Sequence, residues 1–99
     1  MSGPERKAAA AQRVPAEPPQ AGSARVALQL PSGRAIRRFA PDDPVDAVFD
    51  YALTQLGDDE AAAEFDLVMV GGGALSERRG ETVGGAGLNG MLLRLQWQD

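Results

Sequence analysis

The sequence has 99 residues, of which 10 are basic and 14 acidic, and its formal net charge is −4. It contains no cysteine and no histidine, which excludes disulfides, thiol nucleophiles and imidazole bases and leaves few ligands for zinc. We expect one small domain without metal or cofactor. We also expect no nucleic-acid binding, because that affinity depends on the neutralisation of phosphates.

No apolar run reaches the about 18 residues that suggest a membrane span, and the polar start has no apolar signal-peptide centre. We therefore expect a cytoplasmic or nuclear protein without a membrane partner. The acids are concentrated in residues 42–66, which contain no base, whereas arginines lie around the first apolar runs. This local basic strip is typical of a surface for a protein partner, or of a solvated sheet face. We also expect a monomer.

Residues 1–23 contain four prolines among alanines and scattered charges, with Val14 as the only branched aliphatic side chain. Such a segment buries too little apolar surface to offset its ordering entropy, so we predict a disordered tail or linker there. Its stretch ERKAAAAQR is expected to form at most a frayed helical turn or two. The predicted domain spans residues 24–97, and residues 98–99 are its C-terminal end.

The stretch ARVALQL alternates apolar and polar residues, which predicts a half-buried strand. The turn PSGR follows, in which Gly33 supplies a positive φ, and AIRRF returns as an antiparallel partner. The next segment, PDDPVDAVFDYALTQLG, predicts an amphipathic helix of about 13 residues. Asp43 is its expected N-cap, Pro44 its first residue, and Gly57 the residue that closes it.

The stretch FDLVMV alternates again and predicts a third strand. A glycine-rich loop follows, with room for a brief strand at Ala74–Leu75 and a tight turn at AGL. The apolar run MLLRLQW predicts a last strand, central in the sheet, with Trp97 in the core. This order is that of an α+β domain of the β-grasp, or ubiquitin-like, fold: a mixed sheet of four to five strands with one main helix on one face.

The stretch GAGLNG matches the dinucleotide-binding pattern GxGxxG letter for letter. That pattern requires a preceding strand and a following helix whose N-terminus holds a pyrophosphate. Here MLLRLQWQD follows, which is strand-like, so we interpret the match as chance. An enzyme is not expected, because the loop acids Glu77 and Glu81 beside two arginines are typical of a solvated charge cluster.

Over about residues 24–97 the chain resembles the UBX domain, the ubiquitin-like module of adaptors that bind the AAA ATPase valosin-containing protein. RVALQLPSG resembles the first hairpin of the family, R-[IV]-x-[VL]-R-[LF]-P-[DS]-G, at all but one place. RRFAPDDPVDAVFDYA is similar to the stretch that begins its helix. ETVGGAGLNGMLLRL resembles its ending, in which Gly87 serves backbone geometry and Leu88 fills the core. RVPAEPP resembles the linker that often precedes such domains.

The resemblance implies a non-catalytic adaptor module in ubiquitin-dependent processing that contacts the N-domain of the ATPase. The expected binding surface comprises Gln29, Arg37 and Gly71–Gly73, with Gln29 and Arg37 facing away from the helix. Two departures from the family weaken the usual binding mode. VGGGAL replaces the F-P-R loop motif, as in the subgroup that lacks it, and Gln29 replaces the strand arginine, so two expected hot spots are absent.

The ubiquitin-like fold also fits two other functions. A conjugated ubiquitin-like modifier would require a C-terminal diglycine, and the sequence ends in Trp-Gln-Asp. A structural or intramolecular ubiquitin-like domain with a different protein partner differs from the adaptor only in the missing motif, so it remains the alternative.

Overall fold

The computed structural model describes residues 3–19, 22–70 and 72–97. Its strands form one mixed sheet of an α+β fold. Its four strands are β1 (Ala24–Leu30), β2 (Gly33–Phe39), β3 (Phe65–Met69) and β4 (Leu92–Trp97). They lie in the order β2-β1-β4-β3. β4 pairs in parallel with β1 and antiparallel with β3, so the prediction that the last strand is central is confirmed.

The hairpin of β1 and β2 is confirmed as well. The two strands pair antiparallel from Ala24 opposite Phe39 to Leu30 opposite Gly33. Gly33 adopts a φ of 131°, in the left-handed half of the map that a side chain would strain.

Helix α2 (Val45–Thr54) packs its apolar side on one face of this sheet. Six of its ten residues are buried, as the helical spacing of its apolar residues predicts. The sheet contributes alternate residues to the same core. The largest fully buried side chains are Phe39, Leu28, Leu67, Leu75, Leu88, Leu93, Val26, Val45, Val48 and Val83.

Both ends of α2 differ from the predicted caps. Pro44 lies before the helix with a ψ of 153°, and no side chain caps the N-terminus. Asp43 instead accepts a hydrogen bond from the N–H of Ala40 at 2.9 Å. The N–H of Val45 donates to the carbonyl of Glu81 at 3.0 Å, so a distant loop satisfies this end of the helix. At the other end Gly57 does not adopt a positive φ.

The predicted disordered tail differs from the structure, in which Gly3–Arg13 form helix α1. This helix packs against α2, and its Ala10 is fully buried in a small cluster with Leu53, Leu56 and Ala61. Alanine has the highest intrinsic helix propensity, which favours helix in this alanine-rich segment. The burial of Ala10 against Leu53 of α2 and against Leu56 depends on tertiary contacts and has no periodic signal in the sequence.

The loop between β3 and β4 begins with an isolated bridge between Val68 and Ala74 and continues as a 3₁₀ helix at Leu75–Arg78. The strand expected at Ala74–Leu75 is therefore a single bridge. The predicted turn at AGL is confirmed, since Gly87 has a φ of 70° and Leu88 is fully buried.

Trp97 does not lie in the core as predicted, because its side chain is 40% exposed. It is the last residue of β4 and lies opposite Phe65, the first residue of β3. The two rings meet edge to face, with centroids 6.4 Å apart. At this end of the sheet the indole contacts the ring of Phe65 and stays partly in solvent. Among the described residues, no helix is long and apolar enough to cross a membrane.

Candidate functional site

The sheet face opposite α2, called here the open face, collects the exposed side chains of all four strands. Directly opposed residues of paired strands share a face. Gln29 lies opposite Arg34 in β2 and opposite Arg94 in β4, and Arg94 lies opposite Val68 in β3. The open face comprises Arg25, Ala27, Gln29, Arg34, Ile36, Arg38, Asp66, Val68, Val70, Leu92, Arg94 and Gln96. Its one carboxylate among the described residues, that of Asp66, is buried and accepts hydrogen bonds from the N–H and the hydroxyl of Ser76.

The open face carries positive charge. No carboxylate in the described part of the chain lies within ion-pair distance of Arg25, Arg34 or Arg94, and all three side chains are exposed. Arg38 is half-buried and donates to the hydroxyl of Ser23 at 3.2 Å. The face is therefore suited to a partner that brings acidic groups.

Exposed apolar side chains run across the same face. Ile36 lies opposite Ala27, which lies opposite Leu92, and the N–H of Val70 donates to the carbonyl of Leu92 at 3.3 Å. Ile36 is 46% and Val70 54% exposed. Guanidinium groups around exposed aliphatic residues are typical of protein-binding surfaces.

Sequence reasoning missed Ile36 and Val70, although a signal for Ile36 was present. A two-residue hairpin loop at Pro31 and Ser32 pairs Leu30 with Gly33 and therefore Ala27 with Ile36. Ala27 alternates with the buried residues of β1, so its partner Ile36 had to share the exposed side. Val70 alternates with the buried Met69 in the same way.

Of the predicted site residues, Gln29 is exposed on the open face as expected. Gly72 and Gly73 belong to the turn after β3, and Gly71 lies outside the described residues. The N–H of Gly72 donates to the carbonyl of Met69 at 3.0 Å, and the N–H of Met69 donates to the carbonyl of Gly73 at 3.1 Å. A Cβ on Gly72 would lie 3.2 Å from the Cβ of Met69, so this tight turn favours glycine.

Gln29 and this turn belong to one row across the sheet. The row runs through Gln29, Arg94, Val68 and Ala74, the residue that follows Gly73. Two strands thus separate Gln29 from the glycine turn. A depression of about 350 Å³ lies between them on β3 and β4, lined by Val68, Arg94, Leu95 and Gln96.

Arg37 does not face away from the helix, contrary to the prediction. It lies opposite the fully buried Val26 and is itself only 9% exposed. Its guanidinium carbon lies 4.7 Å from the ring centroid of Phe39 and 5.2 Å from that of Tyr51 in α2. The same group donates to the carbonyls of Arg38 and Pro15. The error has a simple cause: the hairpin register pairs Gln29 with residue 34, so Arg37 has the opposite orientation.

Tyr51 reports on this buried arrangement. Burial raises the pKa of its hydroxyl above the ordinary value of 10.0; the charge of Arg37 lowers this pKa, and the charge of Glu17 raises it. Arg37 therefore stabilises the fold, because its positive charge contacts the aromatic rings of Phe39 and Tyr51.

A second concave site, of about 280 Å³, lies between α1 and the rest of the fold. Its side chains include three arginines, each with an acid nearby. Arg13 donates to both oxygens of Asp50, at 2.8 and 3.2 Å, and this contact raises the pKa of Arg13. The lining residues are Arg6, Ala9, Arg13, Phe49, Asp50, Leu53, Glu64, Phe65 and Arg79. Two of the arginines pair with acids of the lining, and Arg79 pairs with Asp46 just outside it at 3.2 Å, so each positive charge of the cleft already has an acidic partner.

The loop acids considered for catalysis are solvated. Arg78 and Glu81 form an ion pair at 3.2 Å with both side chains more than 40% exposed. No group of His, Cys, Asp or Glu among the described residues could hold a metal ion. In comparisons with known proteins, no family model and no curated protein matches this chain.

Proposed function

We propose that this chain is a ubiquitin-like domain of the β-grasp fold and UBX type, and that it acts as a protein-interaction module of an adaptor for the valosin-containing-protein ATPase. The order of elements supports the fold assignment, as does a mixed sheet in which the first and last strands pair in parallel. The proposal for the family is based on the residues from Arg25 to Gly33 and on the AGL turn before β4.

The observation that carries the binding role is the open face. It combines exposed arginines that have no acidic partner in the described chain with the exposed side chains of Ile36 and Val70. Gln29 lies in the middle of this face, between Arg34 and Arg94. A surface with this composition in a small domain is suited to one protein partner with acidic and apolar groups.

The usual contact with the ATPase is weakened in this chain. The turn at Gly72 and Gly73 provides no aromatic anchor and no arginine, and Gln29 has no charge. Each missing hot spot removes about 2 kcal/mol or more, so we expect micromolar rather than tighter binding to the isolated N-domain.

The test is a calorimetric titration of the full chain with the N-domain of valosin-containing protein, followed by amide NMR shifts. We expect shifts at Gln29, Arg94 and the turn after β3. Gln29→Arg, which restores the strand arginine of the family, should tighten binding about tenfold through a charge-assisted hydrogen bond.

Gln55→Arg is the matched control, because Gln55 is also an exposed glutamine and the substitution adds the same charge, but it follows helix α2 on the other side of the sheet. Equal tightening by both variants would indicate unspecific charge attraction and would contradict the proposed site. Absence of heat and of shifts at millimolar concentration would reject direct binding to the ATPase.

The second candidate is a structural domain whose partner is part of its own polypeptide. The packing of α1 on α2 favours it, because Ala10 is fully buried there and Arg13 forms an ion pair with Asp50 at 2.8 Å. Rejection of direct ATPase binding, with α1 still docked in NMR spectra, would support this candidate.

A further inference from the structure

Strand β2 forms one edge of the described sheet, and its main-chain groups alternate between β1 and the outside. The N–H of Ala27 donates to the carbonyl of Met91, and the carbonyl of Arg25 accepts from the N–H of Gly90. The main-chain N–H and C=O groups of residues 25, 27 and 29 in β1 therefore point towards β4. Those of residues 24, 26, 28 and 30 point towards β2. By the register, Arg34, Ile36 and Arg38 direct their N–H and C=O groups away from the sheet.

One of these outward main-chain groups already donates a hydrogen bond to a carboxylate. The N–H of Arg38 donates to the side chain of Glu17 at 3.1 Å, and the carbonyl of Arg38 accepts from the guanidinium of Arg37 at 3.2 Å. The main-chain groups of Arg34 and Ile36 have no hydrogen-bond partner among the described residues. The edge is thus unpaired at Arg34 and Ile36. At Arg38, the chain itself contributes the acidic side chain of Glu17.

The side chains of the same three residues lie on the open face in the order basic, apolar, basic. Arg34 is exposed, Ile36 is 46% exposed, and Arg38 is half-buried. A strand added beside β2 would place its own alternate residues directly opposite them. The complementary pattern in such a strand is acidic, apolar, acidic, with any residue type between these positions.

We propose that the edge of β2 from Arg34 to Arg38 binds an extended acidic peptide as an additional strand, with the pattern Glu-x-Val-x-Glu. Main-chain hydrogen bonds to Ile36 and Arg34 provide the affinity, and the two arginines select for acidic side chains. This site is independent of the proposed adaptor role, since it requires the strand edge and neither Gln29 nor the glycine turn.

The first experiment measures fluorescence anisotropy of a labelled peptide, acetyl-Thr-Glu-Thr-Val-Thr-Glu-Thr-amide, titrated with the full chain. The control peptide carries Lys in place of each Glu. We expect saturable binding of the acidic peptide that weakens with salt, and at least about tenfold weaker binding of the basic one. Equal binding of both peptides, or no binding of the acidic peptide at millimolar concentration, would overturn the proposal; the arginines would then serve only to block edge-to-edge association.

A pair of variants tests the main-chain pairing. Ile36→Pro removes an outward N–H, which an edge strand tolerates because the hydrogen bonds to β1 are untouched. Ile36→Ala removes the side chain but retains the N–H. We expect the proline variant to bind the acidic peptide about tenfold more weakly than the alanine variant, with similar circular dichroism spectra. Equal affinities for the two would contradict strand addition.

Hydrogen exchange in the wild-type chain gives a measurement that does not depend on a variant. Saturation with the acidic peptide should slow the exchange of the Ile36 amide and leave that of the buried Val48 amide in α2 unchanged. Protection at residues of α2 without protection at β2 would place the peptide elsewhere and overturn the proposal.

Discussion

The two faces of the sheet are formed by neighbouring residues of the same strands but differ in burial and polarity. On the helix face Leu28 and Leu93 are almost fully buried, whereas their neighbours Gln29 and Arg94 on the open face are exposed. Because strand side chains alternate, one residue along the chain separates a core position from a position on the open face. Substitutions at adjacent residues can therefore alter either the stability of the core or the proposed binding surface.

The largest expected effect contrasts Leu93→Ala with Arg94→Ala. Leu93 is fully buried, so its truncation should lower the free energy of unfolding by about 2–5 kcal/mol through lost burial and a residual cavity. Arg94 is exposed, and its truncation should change that free energy by about 0.5 kcal/mol or less. Urea unfolding followed by circular dichroism measures both, and similar losses in the two variants would contradict the assignment of faces.

An intermediate effect contrasts two arginines of one strand. Arg37→Ala removes the contacts with Phe39 and Tyr51. It should lower the free energy of unfolding by about 1–2 kcal/mol, the scale of a desolvated cation–π contact. Arg34→Ala on the open face should cost about 0.5 kcal/mol or less. The same unfolding assay applies, and a larger loss for Arg34 would show that the hairpin register is shifted by one residue.

The smallest effect concerns pH. The pKa of Tyr51 is raised in the folded state by burial, so its stabilising contribution is complete below the unfolded value of 10.0 and is lost as pH rises through the folded value. The chain has one tyrosine, so ultraviolet absorbance reports its ionisation directly. We expect the midpoint of the tyrosine titration in the folded protein to lie above that in the unfolded chain. Arg37→Ala should move it higher, because the positive charge that favours the phenolate is removed; a lower midpoint would contradict the contact.

The sequence predicted those parts of the fold that depend on local signals. Alternation identified β1 and β3, the spacing of apolar residues identified α2, and the dense apolar run before Trp97 identified a central strand. The position of Gly33 in the hairpin followed from the φ value that such a turn requires. The role of Gly87 before β4 was implied by the resemblance to the family.

The features that were missed depend on contacts between distant residues. The docking of α1 depends on the buried Gly3 and Ala10 and on ion pairs such as that of Arg13 with Asp50, and none of these contacts has a periodic signal in the sequence. The N-terminus of α2 bonds to Glu81 rather than to Asp43, and no local pattern indicates such a partner. Within the candidate site, the orientation of Arg37 could have been obtained from the hairpin register, because that register follows from the two-residue turn.

The position of β4 between β1 and β3 has a consequence for how the chain folds. β1 and β3 do not touch along their edges, so the hairpin and the third strand become one sheet only when β4 inserts between them. Ala27 and Leu92 are neighbours in that pairing although they are distant in sequence, and closure of such a long loop costs entropy before any contact compensates for it. Folding should therefore be limited by a late, non-local step and be slower than that of a helical protein of equal size.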